Sequence, residues 1–406
     1  MPFPHDITLS EVTEVINRHN ESLGSQVFIR AERGPFVIFN YNYQFAEAFP
    51  PFTGDPVRDR EIAIIRECRG LTFYADTGEI AALKLTKFFN IGQNEETQIH
   101  NLDFNRPHVI MEKLDGSMLV PVRNDDMIEW HTKMGATDVA KPVEEFVADR
   151  PEYEVLARMC IEKGMTPIFE WTSRQQRIVI DYPEDQLVLL HVRNNRTGEY
   201  MSRHELEALA LSLGIPAVKV FEDSITDIHA FVEYTRALKN AEGFVVQFSD
   251  GSMIKLKADE YCAMHNSKEK INLEKNVIAM IFSETFDDTL ALLDYADNKA
   301  IQEFQNAVMA EIGKVAQNIQ IIADEIKARP ECQERREYAR YVNELELPGP
   351  HYKSLMFKAY EGRDLVANII NAIKNGTGSA TRLEEVRPLF GNIYWAQYRG
   401  FFDGDA

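Results

Sequence analysis

Cysteine is scarce in this chain. Only Cys68, Cys160, Cys262 and Cys332 occur in 406 residues, far apart and with no Cys-x-x-Cys pair. That spacing argues against a disulfide-stapled scaffold or a cysteine zinc site and reads as buried, reduced thiols. Long apolar runs are also missing. No stretch approaches the roughly 18 residues of a membrane span. The first residues, MPFPHDITLS, lack the basic-then-apolar pattern of a secretory leader. The expectation is a cytoplasmic protein with no membrane attachment. Positive charge is in deficit, with 44 Lys+Arg against 64 Asp+Glu and a formal charge of −20. Such a chain binds nucleic acid poorly at large, although a local basic groove remains open to it. No Gly-x-x-x-x-Gly-Lys-Ser/Thr string occurs, which argues against a P-loop kinase.

The composition present is that of a globular protein: 45% hydrophobic and 27% charged residues. At roughly 150 residues per domain the length allows two or three domains. The first two thirds alternate in the manner of strands. Runs 26–31 and 35–43 flank Arg33-Gly34-Pro35, and a helix starting at Asp6 or Ser10 precedes them. Residues 71–85 form a hairpin pattern around Thr77-Gly78. Residues 108–133 alternate around Asp115-Gly116 and again around Asn124-Asp125. Strands are expected at 166–171, 177–182 and 187–193, and on either side of Ser249-Asp250-Gly251-Ser252. Helices fit 203–213 and 225–238. After about Lys257 strand signals nearly vanish. Ile301, Phe304, Val308, Ile312, Val315, Ile319, Ile322 and Ile326 recur every three or four residues, one face of a long helix. Further helices fit 333–345 and 352–374. The fold class is therefore α+β, a mixed region over residues 1–265 followed by an all-helical region over 266–406.

The chemistry centres on Lys113-Leu114-Asp115-Gly116-Ser117. Alone, this string also describes a tight hairpin turn with a solvated lysine. Three further elements follow it in order, each at or beside a strand end: Glu170, Glu242-Gly243, and Lys255-Leu256-Lys257. Each glutamate by itself would read as an exposed strand-end carboxylate. Together the four resemble the covalent nucleotidyltransferase superfamily of polynucleotide ligases and RNA capping enzymes. A lysine amine can attack the α-phosphate of a nucleoside triphosphate once it is neutral, a form that neighbouring cations favour. Lys255, Lys257 and a magnesium ion would supply that field and offset charge on the phosphate. Glu170 and Glu242 are hard oxygen donors, suited to ribose hydroxyls or to magnesium and its waters.

Upstream stand Phe39-Asn40-Tyr41-Asn42-Tyr43, Glu67-Cys68-Arg69-Gly70 and Lys87-Phe88-Phe89-Asn90. Downstream are Arg177-Ile178-Val179, Thr197-Gly198-Glu199-Tyr200, Asp259 with Tyr261, and Asp287-Asp288. The set resembles the RNA ligase 1 family of T-even bacteriophages over about residues 35–290. The resemblance implies an N-terminal nucleotidyltransferase domain of ATP-grasp-like antiparallel sheets with helices (1–265). It implies ATP and Mg2+ as cofactors, and Lys113 as the lysine that carries AMP. Tyr41, Arg69, Lys87 and Phe89 would surround ATP, with Arg69 and Lys87 on phosphates and Phe89 stacked on adenine. Gly116 would let the backbone approach the nucleotide. Lys133 matches a nucleotide-proximal lysine, although Met134-Gly135 follows where the family has Gly-Ser. Glu170, Glu242, Lys255 and Lys257 match the later motifs. Tyr261 matches a tyrosine needed for ligation and Asp287 a metal-associated aspartate. A core tyrosine and a helix-start carboxylate are the ordinary alternatives for these two.

The implied reaction joins an RNA 5′-phosphate to a 3′-hydroxyl in three steps. The implied partners are single-stranded RNA ends, such as a tRNA cleaved in its anticodon loop, and an end-healing polynucleotide kinase-phosphatase. The protein would be a monomer in the cytoplasm, that of a host cell if phage-encoded. The helical region would be an RNA-specificity module or a buttress. Competing readings are a DNA ligase, a capping enzyme, and a non-catalytic RNA-binding protein that keeps the fold. The first two usually carry a β-barrel domain after the Lys-x-Lys motif, where this chain turns helical.

Overall fold

The structure is a computed structural model that describes residues 3–398, apart from 43, 222–223, 284–289, 291–292, 294 and 333. The chain divides into two compact units, Met1–Cys262 and Ala263–Asp403. The fold class is α+β, with antiparallel sheets and helices first and helices alone afterwards.

Three sheets build the first unit. One orders β1 (Phe28–Arg33), β2 (Phe36–Tyr41), β3 (Leu71–Tyr74) and β4 (Ile80–Ala82) in sequence. A second has the order β10 (Gln186–Asn194), β9 (Met165–Thr172), β7 (Ser117–Asn124), β8 (Met127–His131). The third has the order β11 (Val220–Phe221), β6 (His108–Lys113), β12 (Gly243–Phe248), β13 (Met253–Lys257), β5 (Phe89–Asn90). Period-2 alternation sets their faces. Ile254 and Leu256 of β13 enter a core with Ile110, Phe244, Val246 and Phe248. Lys255 and Lys257 therefore share the opposite face. Val37 and Phe39 pack on Val12, Val15 and Ile16 of the helix Leu9–Leu23, whose N-cap is Thr8 rather than Asp6 or Ser10.

Several expectations change here. The alternation around Asp115-Gly116 looks like a hairpin, but β6 and β7 belong to different sheets. Asp115-Gly116 is the crossover between them. Residues 177–182 form no strand. The backbone amides of Val179 and Ile180 donate to the Asp115 carboxylate, both at 2.7 Å, instead of to a ladder partner. The helices Pro56–Glu67 and Pro151–Glu162 carry no label in the sequence reading above, yet each begins on a proline in its first turn.

The second unit is described by itself. Its long helix, Tyr295–Lys327, buries Ile301, Phe304, Val308, Ile312, Ala316, Ile319, Ala323 and Ile326. Ile322, 37% exposed, leaves the face because Ala323 takes that turn. The expected helix 352–374 is two, Pro350–Tyr360 and Leu365–Gly376. Gly362 at φ +69° breaks the first, and the Asp364 side chain caps the second by accepting the Ala367 amide at 3.0 Å. Arg387 makes two 2.8 Å bonds to Glu274 and ties the end of the unit to its beginning. Among the described residues, no helix is long and apolar enough to cross a membrane.

Candidate active site

Register brings the motif lysines together. Gly243, first in β12, pairs with Lys113 on β6 at one side and with Lys257 on β13 at the other. Glu242, just ahead, points its carboxylate between them. Its Oε1 lies 2.8 Å from Lys113 Nζ and 2.9 Å from Lys257 Nζ. Glycine is required beside it. At φ +140°, a Cβ on Gly243 would stand 2.0 Å from the Leu256 carbonyl oxygen.

The segment after Lys113 is bracketed from within the chain. Asp115 is buried. Its Oδ2 accepts the amides of Val179 and Ile180, and its Oδ1 accepts the Tyr261 hydroxyl at 2.7 Å. Its own backbone N–H donates to the Tyr182 hydroxyl at 2.8 Å. Gly116 answers to its own chain: a Cβ there would meet the Trp171 carbonyl oxygen at 2.2 Å. Close approach of β9 demands this glycine, and with it Glu170 comes beside Met118 in register. Burial raises the Glu170 carboxyl to about 7. Glu242 and Asp115 push the same way, and Lys113 and Arg69 oppose.

A group of cations stands nearby. Lys87 is buried in a cage of Tyr41, Phe49 and Phe89, with ring centroids 5.3, 5.3 and 5.2 Å from its Nζ. It donates to Gln44 Oε1 at 2.7 Å. Burial lowers it to about 7, helped by Lys255, Arg69 and Lys133. Lys255 is also lowered to about 7, first by burial, then by Lys113, Arg69 and Lys257. The parallel pairing of β5 and β13 puts Asn90 opposite Lys255, which draws the Lys87 segment to its side. The Phe88 ring lies 5.9 Å from the Arg69 guanidinium and 5.6 Å from Lys255 Nζ. No carboxylate forms an ion pair with Lys87, Lys255 or Arg69 among the described residues. One buried and two half-buried positive side chains, none ion-paired among the described residues, suit an anion.

The other expected residues are placed as follows. Tyr41 forms a wall of the Lys87 cage. Lys133 sits in a tight turn, Nζ 5.9 Å from the Tyr41 ring, and its backbone abuts Gly70. Phe89 is buried, its ring 6.0 Å from that of Phe49 and 5.4 Å from the Arg66 guanidinium. Tyr261 opens the helix Asp259–Ile271, and Lys257 Nζ is 4.9 Å from its ring. Burial and the two carboxylates Glu242 and Asp115 drive its phenol well above the ordinary range. Asp287 lies outside the described residues. The sequence reading missed Gln44, Phe49 and Tyr182. Tyr182 was legible only as the last residue of an apparent strand.

Residues 67–261 match a family model described as RNA ligase. Over that segment the chain is similar to the RNA ligase 1-like nucleotidyltransferases. A provisionally named RNA ligase of Thermovibrio ammonificans is 32% identical to it over 270 residues, 64% of each chain. A provisionally named bifunctional polynucleotide kinase/RNA ligase of Autographa californica nuclear polyhedrosis virus is 27% identical over 263 residues. That match takes 59% of this chain and 36% of the viral one. The chain thus spans less than two thirds of either relative's length. Among solved structures, an archaeal ATP-dependent RNA ligase is 14% identical over 71% of this chain and 72% of that one, with a TM-score of 0.45. An RNA ligase of Naegleria gruberi with ATP and Mn is 16% identical over 40% of this chain and 52% of that one, at 0.32.

Proposed function

We propose that this chain is an ATP-dependent RNA ligase that joins 5′-phosphate and 3′-hydroxyl ends through a lysyl-AMP. One observation carries the reading. Lys113 Nζ is held at 2.8 Å by Glu242, itself pinned by Lys257, beside Lys255, Lys87 and Arg69, which make no ion pair among the described residues. An amine aimed beside an anion site suits attack on a phosphate.

In the first step Lys113 Nζ bonds to the α-phosphorus of ATP. The bond to the β-phosphate oxygen breaks, pyrophosphate leaves and the amine loses a proton. An oxygen of an RNA 5′-phosphate then displaces Lys113, which takes back a proton, and a 5′–5′ pyrophosphate end forms. Finally the 3′-hydroxyl attacks the RNA 5′-phosphorus, AMP leaves and a phosphodiester remains. Such transfers depend on positioning and charge stabilisation. Arg69, Lys87 and Lys255 would meet the polyphosphate, and the Asp115 bracket fixes the segment after Lys113.

A divalent metal also fits the residues. Among the described residues no three His, Cys, Asp or Glu side chains form a cage. Magnesium keeps most of its waters and needs only one or two carboxylates with phosphate oxygens. Glu170 and Glu242 are those carboxylates in this reading, with Asp287 a third candidate. When bound, the ion would offset charge on the phosphates.

In this reading the N-terminal unit is the adenylyltransferase and the helical unit recognises RNA. The biological role is repair of broken tRNA, with a separate kinase-phosphatase preparing the ends and the ligase acting as a monomer. The test is intact mass after incubation with magnesium and ATP. Gain of one AMP, absent in Lys113→Ala and not reproduced with GTP, is the expected result. No adduct, even after pyrophosphate has stripped any AMP already attached, would sink the ligase reading in favour of a non-catalytic RNA-binding protein.

A further inference from the structure

Arg193, near the end of β10, belongs to none of the motifs above, yet its side chain is fully buried and uses all of its polar groups. Nε donates to the Gly198 carbonyl at 2.8 Å. Nη1 donates to Glu67 Oε2 at 2.7 Å and to the Lys84 carbonyl at 2.6 Å, and Nη2 to Glu67 Oε1 at 2.8 Å. The rings of Phe3 and Tyr200 lie 4.6 and 4.9 Å from the guanidinium carbon. Taking two charges out of water is costly, and well-packed apolar residues often stabilise as well. The pair calls for an account in terms of what it positions.

Its partners flank the anion site. Glu67 stands two residues before Arg69, and Lys84 three before Lys87. The two segments are laced to each other as well. The Lys87 amide donates to the Arg66 carbonyl at 2.8 Å. The buried Lys84 Nζ donates to the Gly70 carbonyl at 2.5 Å and to Thr72 Oγ1 at 3.1 Å. The Thr86 amide donates to the Tyr200 hydroxyl at 3.3 Å, below the Arg193 stack. The arms that carry Arg69 and Lys87 are thus both anchored on one guanidinium.

We propose that Arg193 is a positioning residue for the polyphosphate end of ATP, setting the spacing of Arg69 and Lys87 through Glu67 and Lys84. The proposal rests on the ligase reading. Its consequence is selective. Pyrophosphate leaves only in the first step, and sealing of an RNA end that already bears AMP uses no triphosphate. Displaced Arg69 and Lys87 would slow the first reaction and spare the second. A general loosening of the unit would slow both.

The experiment uses the full chain. Lysine adenylylation is measured in single turnover against ATP concentration, and sealing is measured on synthetic pre-adenylated RNA. In Arg193→Lys the ATP concentration for half-maximal adenylylation should rise about tenfold or more, since misplacements near 1 Å cost up to ~100-fold. Sealing should stay within about twofold. Phe3→Ala removes a stacked ring while leaving the ion pair, and should shift the same quantity about threefold in the same direction. It decides the matter alone if Arg193→Lys does not fold. Equal losses in both reactions, or an unchanged ATP dependence in a folded variant, would overturn the proposal. A wild-type chain that takes no AMP would instead overturn the ligase reading itself.

Discussion

Asp115 shows how much one side chain can organise. Three hydrogen bonds reach its carboxylate, from Val179, Ile180 and Tyr261. In Asp115→Ala these buried or half-buried donors lose their acceptor, at about 1–3 kcal/mol each before relaxation. Urea denaturation should show a loss of about 3 kcal/mol or more, and a variant as stable as the wild type would contradict the bracket. Titration at the site follows from the same burial. Glu170, raised to about 7 from an ordinary 4.5, contributes stability that is full below pH 4.5 and lost as pH rises to 7. Lys84, Lys87 and Lys255, each lowered to about 7 from 10.5, act in the opposite sense. Their contribution is present above pH 10.5 and is lost as pH falls to 7. Unfolding midpoints measured from pH 5 to 9 should therefore dip near pH 7. In Glu170→Gln the fall from pH 5 to 7 should vanish, leaving only the rise above pH 7.

Among the elements, strand order does the assembling. Only the sequence β6, β12, β13, β5 within one sheet puts Lys113, Glu242, Lys257 and the Lys87 segment side by side. Residues 177–182 sit at the same scale. They alternate like a strand, yet their amides serve Asp115. Val179→Pro removes one of those donors and keeps the apolar bulk. It should reduce adenylylation by about tenfold with the sheets intact by circular dichroism. Unchanged adenylylation would mean that this segment does not hold the loop after Lys113. The break at Gly362 is a similar case, since helical periodicity runs across it and only the left-handed residue and the Asp364 cap reveal two helices.

At the scale of the molecule, the chain is strongly acidic and still gathers at one place Lys87, Lys255 and Arg69, which make no ion pair among the described residues. That concentration suits an anion in the first unit. A ligand that binds the folded form stabilises by about 2.7 kcal/mol at 100 times its Kd. Hydrogen exchange with and without ATP should slow for β5, β6, β12 and β13 and stay unchanged for the helix Tyr295–Lys327. Protection confined to the second unit would place the nucleotide elsewhere.

The sequence alone determined the fold class, the two textures of the chain and the family resemblance, because periodicity and short motifs are local properties. It also marked Lys113, Glu242 and Lys257 as candidates by their order along the chain. The tertiary structure decided what depends on contact between distant segments. It made Asp115-Gly116 a crossover between sheets, gave Gly116 to the Trp171 backbone, and buried Phe89 against Phe49 and Arg66. It also joined Arg193 to Glu67 across 126 residues. Nothing local announces such pairs, because a buried charge looks in sequence like a solvated one until its partner is brought to it.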